Sequence, residues 1–199
     1  MSDKEYGPVL SRANPPIDPS DIQKMYDTKV LSDDSPQGLQ NKVFFEIALH
    51  FISRSREKLR KLTIDSFEFH QDPNRGKYVT LASNSDNEKP LANEGTKGQR
   101  LYATGRPNCP VASLEKYLSR VNPKSPCFFQ ACIPNAKVGD RFWYNGKPIG
   151  SNTIGGMMKR ISHDAKLSRV YNNLSIHATA MRGRGAIKFW LPTHMDPQM

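Results

Sequence analysis

The chain has 199 residues, 37% of them hydrophobic, a mean hydropathy of -0.65, and a formal charge of +10 from 29 basic and 19 acidic side chains. That length supports one compact domain with its own core, and no apolar run reaches the roughly 18 residues of a membrane-spanning helix. The opening residues lack the apolar stretch of a secretory signal, and three cysteines (Cys109, Cys127, Cys132) make no even framework, which fits a reducing cytosolic or nuclear setting.

The elements follow in chain order. Residues 1–17 hold Pro8, Pro15 and Pro16 with little periodicity and read as an extended leader. Asp18-Pro19-Ser20-Asp21 reads as a helix start, with the helix running to about Lys29. After Ser35-Pro36, the residues Leu39, Val43, Phe44, Ile47, Ala48 and Phe51 recur at helical spacing and predict a central helix with one apolar stripe. His50 on it reads as a packed or hydrogen-bonded histidine. From Thr63 the period changes to two: Phe67 and Phe69 alternate with Glu68 and His70 in a half-buried strand. Asp72-Pro73-Asn74-Arg75-Gly76 supplies a turn, and Lys77-Tyr78-Val79-Thr80-Leu81 returns as its partner. Residues 82–98 read as a loop and Arg100-Leu101-Tyr102-Ala103-Thr104 as a third strand.

Helical pattern resumes after Pro110 with Val111, Leu114, Tyr117 and Leu118. Cys127-Phe128-Phe129 reads as a buried loop, and Trp143-Tyr144-Asn145-Gly146-Lys147 as a turn. A helix after Ser151 carries Ile154, Met157, Met158 and Ile161, with Gly155-Gly156 allowing close packing, and a last helix covers 175–180. The expected fold class is α+β, mostly helical with a three-stranded antiparallel sheet.

Charge is uneven: residues 1–52 carry a net -3, residues 53–134 a net +6 and residues 135–199 a net +7. A basic body behind an acidic leader points to a polyanionic partner, most simply nucleic acid, with a solvated basic surface as the plainer alternative. Cys127 and Cys132 have no second ligand pair at zinc spacing, so no metal is expected, and no phosphate-binding glycine loop or hydrolase signature implies a cofactor. The sharpest local feature is Arg54-Ser55-Arg56-Glu57-Lys58-Leu59-Arg60-Lys61, between the central helix and the first strand. There a guanidinium's planar fork could give a phosphate two parallel hydrogen bonds. A solvated helix end is the competing reading.

This segment, with Phe51-Ile52-Ser53 before it and Leu62 after it, resembles the first arginine motif of Crypton-derived tyrosine recombinase domains, as in zinc-finger MYM-type and glutamine-rich proteins. Further similar stretches follow in the family's order: Gly76-Lys77-Tyr78-Val79-Thr80-Leu81, the run from Thr96 through Lys97 to Gly105, Pro107-Asn108-Cys109-Pro110, Trp143-Tyr144, Gly155-Gly156-Met157-Met158-Lys159, and the run from Tyr171 to Ala180. The resemblance covers roughly residues 17–180 and implies a recombinase/integrase catalytic-domain-like fold. It also implies phosphoryl transfer at DNA: a tyrosine attacks the backbone phosphate, two arginines and a histidine hold the transition-state charge, and a hairpin lysine protonates the leaving oxygen. Arg54 matches the first arginine, with Arg56 a near rival, and Lys97 matches the hairpin lysine.

The departures matter as much. Where the family carries His-x-x-Arg, this chain has Leu174-Ser175-Ile176-His177, so His177 stands in the place of the second arginine. An imidazole cannot match a permanent bidentate guanidinium. All seven tyrosines lie at or before Tyr171, whereas the family's nucleophile follows its second arginine. The expectation is an inactive, domesticated recombinase-like domain over 18–180 with a divergent or truncated tail over 181–199. Arg54, Lys97 and His177 are its vestigial catalytic positions, and the leader looks too short for the separate clamp domain of recombinases. DNA backbone contacts are expected from Arg54, Arg56, Arg60, Lys97, Arg100, Lys159, Arg160, Arg182 and Arg184, in a nuclear setting with nuclear proteins as possible further partners and no membrane. The alternatives are a protein-interaction scaffold, marked by an exposed apolar patch on the C-terminal face, and an active recombinase completed in trans.

Overall fold

The computed structural model describes residues 14–51, 56–82 and 99–182, with the Arg56 side chain outside that set. Its centre is the second helix. Helix α1 spans Pro19–Asp27 and α2 spans Pro36–His50. Ser35, in extended backbone, caps α2 by accepting the Gly38 N–H at 3.1 Å, and Pro36 takes the first helical position, where no N–H is needed. Gly38 is required there: a Cβ would lie 2.9 Å from Ser35 Oγ and 3.1 Å from the Ser32 carbonyl oxygen. The expected single apolar stripe is not what forms. Every residue of 38–48 is buried, because helices pack around α2 on several sides.

Those helices are α4 (Pro110–Arg120), α5 (Ser151–Asp164) and α6 (Asn173–Arg182). A short α3 (Arg56–Lys61) follows α2 and packs on α5, buried through Leu59. Strands β1 (Phe67–Asp72), β2 (Gly76–Leu81) and β3 (Leu101–Tyr102) form an antiparallel sheet in that order, with Phe69 opposite Val79 and Tyr78 opposite Tyr102. Asp72 Oδ1 accepts the N–H groups of Asn74 and Arg75 at 2.9 and 3.1 Å, and Gly76 closes the turn at a φ of 81°.

Several boundaries differ from expectation. α1 stops at Asp27 because Lys29 is left-handed, at a φ of 58°. A short 3-10 turn (Ile64–Ser66) precedes β1, and β3 is only two residues long. Phe69, expected on the buried face of a half-buried strand, is 38% exposed: α4 packs under β2 and β3, leaving this part of the edge strand β1 uncovered. Phe128 and Phe129 are buried as expected, whereas Trp143-Tyr144 opens a strand rather than a turn. That strand, β5 (Tyr144–Pro148), pairs antiparallel with β4 (Gln130–Cys132) in a second sheet the sequence did not announce. A Cβ added to Gly156 would meet nothing within 4 Å, so close helix approach does not explain that glycine. The overall class is α+β, with six helices and a three-stranded antiparallel sheet among the described residues.

Both ends of the described chain are tied to the core. Ile17, placed in the leader by sequence, is 2% exposed, and its N–H donates to Thr179 Oγ1 on α6 at 2.8 Å. Buried Asp21 on α1 accepts from the Ser168 N–H at 3.0 Å, the Ser168 hydroxyl at 2.5 Å and the Tyr171 hydroxyl at 2.8 Å. Burial pushes its pKa up, but these bonds outweigh that and hold it below the ordinary value.

Four polar side chains of α2 lie inside the core. Gln40 donates to the Gln130 carbonyl at 2.7 Å, Asn41 to the Val30 carbonyl at 3.2 Å, and fully buried Lys42 pairs with Asp33 at 3.0 Å. Glu46 accepts from the Tyr26 hydroxyl at 3.2 Å, but its other oxygen, Oε2, has no partner. Burial raises its pKa from 4.5 to about 8, against the opposing pull of Lys42. A folded carboxyl that holds its proton this way contributes stability that is full below about pH 4.5 and lost as pH rises to about 8. Glu46→Gln keeps the acceptor for Tyr26 and cannot ionise. It is expected to match the wild type near pH 4.5 and to exceed it at pH 8 by about 2–4 kcal/mol. Urea denaturation across this range checks the prediction, and parallel pH profiles would contradict it.

Candidate nucleic-acid interface

α2 ends at His50, with the Phe51 N–H bonded to the Ile47 carbonyl at 2.8 Å. Half-buried His50 packs edge-on to Phe51 with ring centroids 5.8 Å apart, and burial lowers its pKa to about 4, which favours the neutral imidazole. The candidates Arg54, Lys97 and Arg184 lie outside the described residues, as does the Arg56 side chain. The chain resumes in α3, which presents Arg60 to solvent while Leu59 and Leu62 bury beneath it. α6, carrying half-buried His177 and exposed Arg182, packs on both α2 and α5. The structure therefore gathers α2, α3, α5 and α6 into one packed group, with Arg60 on α3 and both His177 and Arg182 on α6.

Arg100 belongs to a different cluster. Val79, Leu101 and Phe67 face the core, so period two turns His70, Tyr78 and Tyr102 to the opposite face of the sheet. These rings form a ladder, with centroids 4.9 Å apart between His70 and Tyr78 and 5.2 Å between Tyr78 and Tyr102. Arg75 sits 3.8 Å over the Tyr102 ring and Arg100 sits 4.8 Å over the Tyr78 ring. Arg100 also donates to the Tyr102 hydroxyl at 3.3 Å and lies 3.7 Å from the Asp72 carboxylate. Two guanidiniums against Asp72 and Glu68 leave this face close to charge-balanced. Arg100 thus acts first as a clasp across the hairpin.

On α5, Lys159 is exposed and Arg160 is half-buried, donating from Nη2 to Asn41 Oδ1 on α2 at 3.3 Å. Sequence reading did not bring Asn41 to Arg160. The available signal was Gln37 and Asn41 four residues apart, which places them on one helical face; Gln37 Nε2 donates to the same Asn41 oxygen at 2.9 Å.

The described tyrosines bear on strand cleavage. The hydroxyls of Tyr26, Tyr102, Tyr117, Tyr144 and Tyr171 donate to Glu46, Asp72, the Phe128 carbonyl, the Pro36 carbonyl and Asp21 respectively, at 2.8–3.2 Å. Burial raises the phenol pKa of Tyr26, Tyr117, Tyr144 and Tyr171. A phenol that is buried, bonded and harder to ionise is a poor nucleophile. Among the described residues no group of three or more His, Cys, Asp or Glu side chains could hold a metal ion, and no helix is long and apolar enough to cross a membrane.

Comparison with known proteins adds one family. The model of a domain of unknown function, DUF3504, matches residues 19–163, from the first residue of α1 to the last turn of α5. No curated protein and no solved structure matches the chain.

Arg100→Ala is expected to speed amide hydrogen exchange in β2 and β3 while leaving exchange in α2 unchanged. Unaltered exchange throughout the hairpin would contradict the clasp.

Proposed function

We propose that the chain, which belongs to the DUF3504 family, is a domesticated tyrosine recombinase-like domain of the Crypton-derived kind that binds DNA without cutting it. The observation that carries this reading is the charge distribution: residues 53–134 and 135–199 carry net charges of +6 and +7, beginning at the arginine motif that follows α2. Helix α6, bearing His177 where the family has its second arginine, packs against α2, the helix that leads into Arg54. A guanidinium at Arg54, the basic side chains of α3 and Arg182 would meet the phosphate backbone through charge-assisted hydrogen bonds. With an imidazole at position 177 and five of the six described tyrosine hydroxyls bonded internally, attack on that phosphate is left short of its charge stabilisation and its nucleophile. A nuclear setting belongs to the same proposal.

A second reading, a protein-interaction scaffold, draws on one specific feature. Val170, Leu174 and Met181 are 53%, 44% and 49% exposed, and Leu174 and Met181 lie seven residues apart on one face of α6.

Fluorescence anisotropy with labelled duplex DNA across a salt series separates the two. The DNA reading expects a steep fall of log affinity with log salt, and Arg54→Ala or Lys97→Ala to weaken binding and reduce the slope by about 0.9 for each phosphate contact removed. Absence of binding at low salt would overturn the DNA reading and leave the scaffold.

A further inference from the structure

Arg160 is held in a way that the rest of the basic surface is not. Its residue is half-buried between α5 and α2, and its Nε is buried with no hydrogen-bond acceptor. Its hydrogen bond to Asn41 Oδ1 is long at 3.3 Å, and that oxygen already accepts from Gln37 at 2.9 Å. No carboxylate lies within ion-pairing distance of Arg160 among the described residues, although Asp164 stands one turn away on the same helix. A guanidinium withdrawn from water without an anion is costly, and an ordinary solvated arginine would avoid it.

The surroundings are short of negative charge and supplied with polar groups. α2 has no acidic residue in its first turn, and Asp33, just before its Ser35 cap, is already paired with Lys42. Burial raises the pKa of the Cys132 thiol on β4 against the opposing pull of the Arg160 charge, and its Sγ lies 3.9 Å from both Gln37 Oε1 and Gln40 Oε1. Gln37 is exposed, so the seam opens to solvent at the N-terminal end of α2. Asn41 is ten residues before Phe51, which places the seam about 15 Å along the helix from the end that leads to Arg54.

We infer that Arg160, with Gln37 and Cys132 beside it, forms a seat for a single phosphate oxyanion, separate from the arginine motif after α2. The Nε edge of the guanidinium supplies the unused donor, and two of its N–H groups in parallel match two phosphate oxygens. The phosphate can come from a nucleic-acid backbone or from a free phosphate ion. The seat does not require the DNA reading, since inorganic phosphate alone tests it.

Cys132 provides a local reporter. The full chain is treated with N-ethylmaleimide in sodium phosphate or in sodium chloride at matched ionic strength. Modification of Cys132 and Cys127 is then followed by peptide mass spectrometry, with half-buried Cys127 as the internal control. Phosphate at ten times its Kd should slow Cys132 modification about tenfold, leave Cys127 unchanged, and lose its effect in Arg160→Gln. Arg160→Lys, which keeps the charge but not the fork, should retain only part of it. A duplex DNA arm assigns the source: protection by DNA identifies the backbone phosphate, and protection by inorganic phosphate alone identifies the free ion. The inference is overturned if phosphate leaves Cys132 modification unchanged in the wild type. It is equally overturned if phosphate slows both cysteines alike or still protects Cys132 in Arg160→Gln.

Discussion

The structure depends on one constraint: residues 38–48 of α2 are enclosed by other elements, so the polar side chains buried there take their partners from inside the protein, with Glu46 Oε2 left as the exception. Lys42 is the extreme case. A fully buried ammonium is tolerable only because Asp33 meets it at 3.0 Å, and that contact fixes the α1–α2 connection against the central helix. Gln40 does the same for β4 through the Gln130 carbonyl, and Glu46 for α1 through the Tyr26 hydroxyl. Removing one member of such a pair leaves the other stranded in the core, which costs more than the pair itself contributes. The polar contacts of α2 therefore specify which elements surround it.

From that enclosure follows the division of the basic residues into kinds. Those on the outer elements, such as Arg60 and Arg182, are exposed and available to a polyanion. Lys42 is bound inside, Arg75 and Arg100 sit on tyrosine rings at the sheet, and Arg160 is half-withdrawn beside α2. A net charge of +10 thus overstates what a DNA backbone could meet. The useful fraction is set by packing. The uncovered apolar face of α6 adds a surface that electrostatics does not use, and it keeps a protein partner in view beside DNA.

Much of the fold was legible where local chemistry decided it. Ser35-Pro36 marked the start of α2, and the apolar periodicities after Pro110 and Ser151 marked α4 and α5. The burial of Lys42 and Glu46 was not legible, because charges one turn apart on a helix ordinarily form a solvated face. Only the neighbours packed around α2 reveal otherwise. β5 was hidden for a related reason: Asn145-Gly146 has turn chemistry, and Gly146 does adopt a φ of 85°, yet pairing with β4 makes the segment a strand. For the site, sequence named cations but could not say which were engaged. The contacts of Arg100 with Tyr78 and Tyr102 and of Arg160 with Asn41 join residues that only folding brings together. Arg54 and Lys97 rest on motif resemblance, since both lie outside the described residues.

The most direct test of the central claim, binding without cutting, is an assay that sees both. The chain is incubated with labelled duplex DNA carrying a nick that would trap a covalent intermediate, and each sample is run on native and on denaturing gels. The account predicts a retarded band on the native gel that salt dissolves, and no labelled protein on the denaturing gel. A labelled band that survives denaturation and maps to a tyrosine would contradict it, by showing that this domain still forms the covalent link.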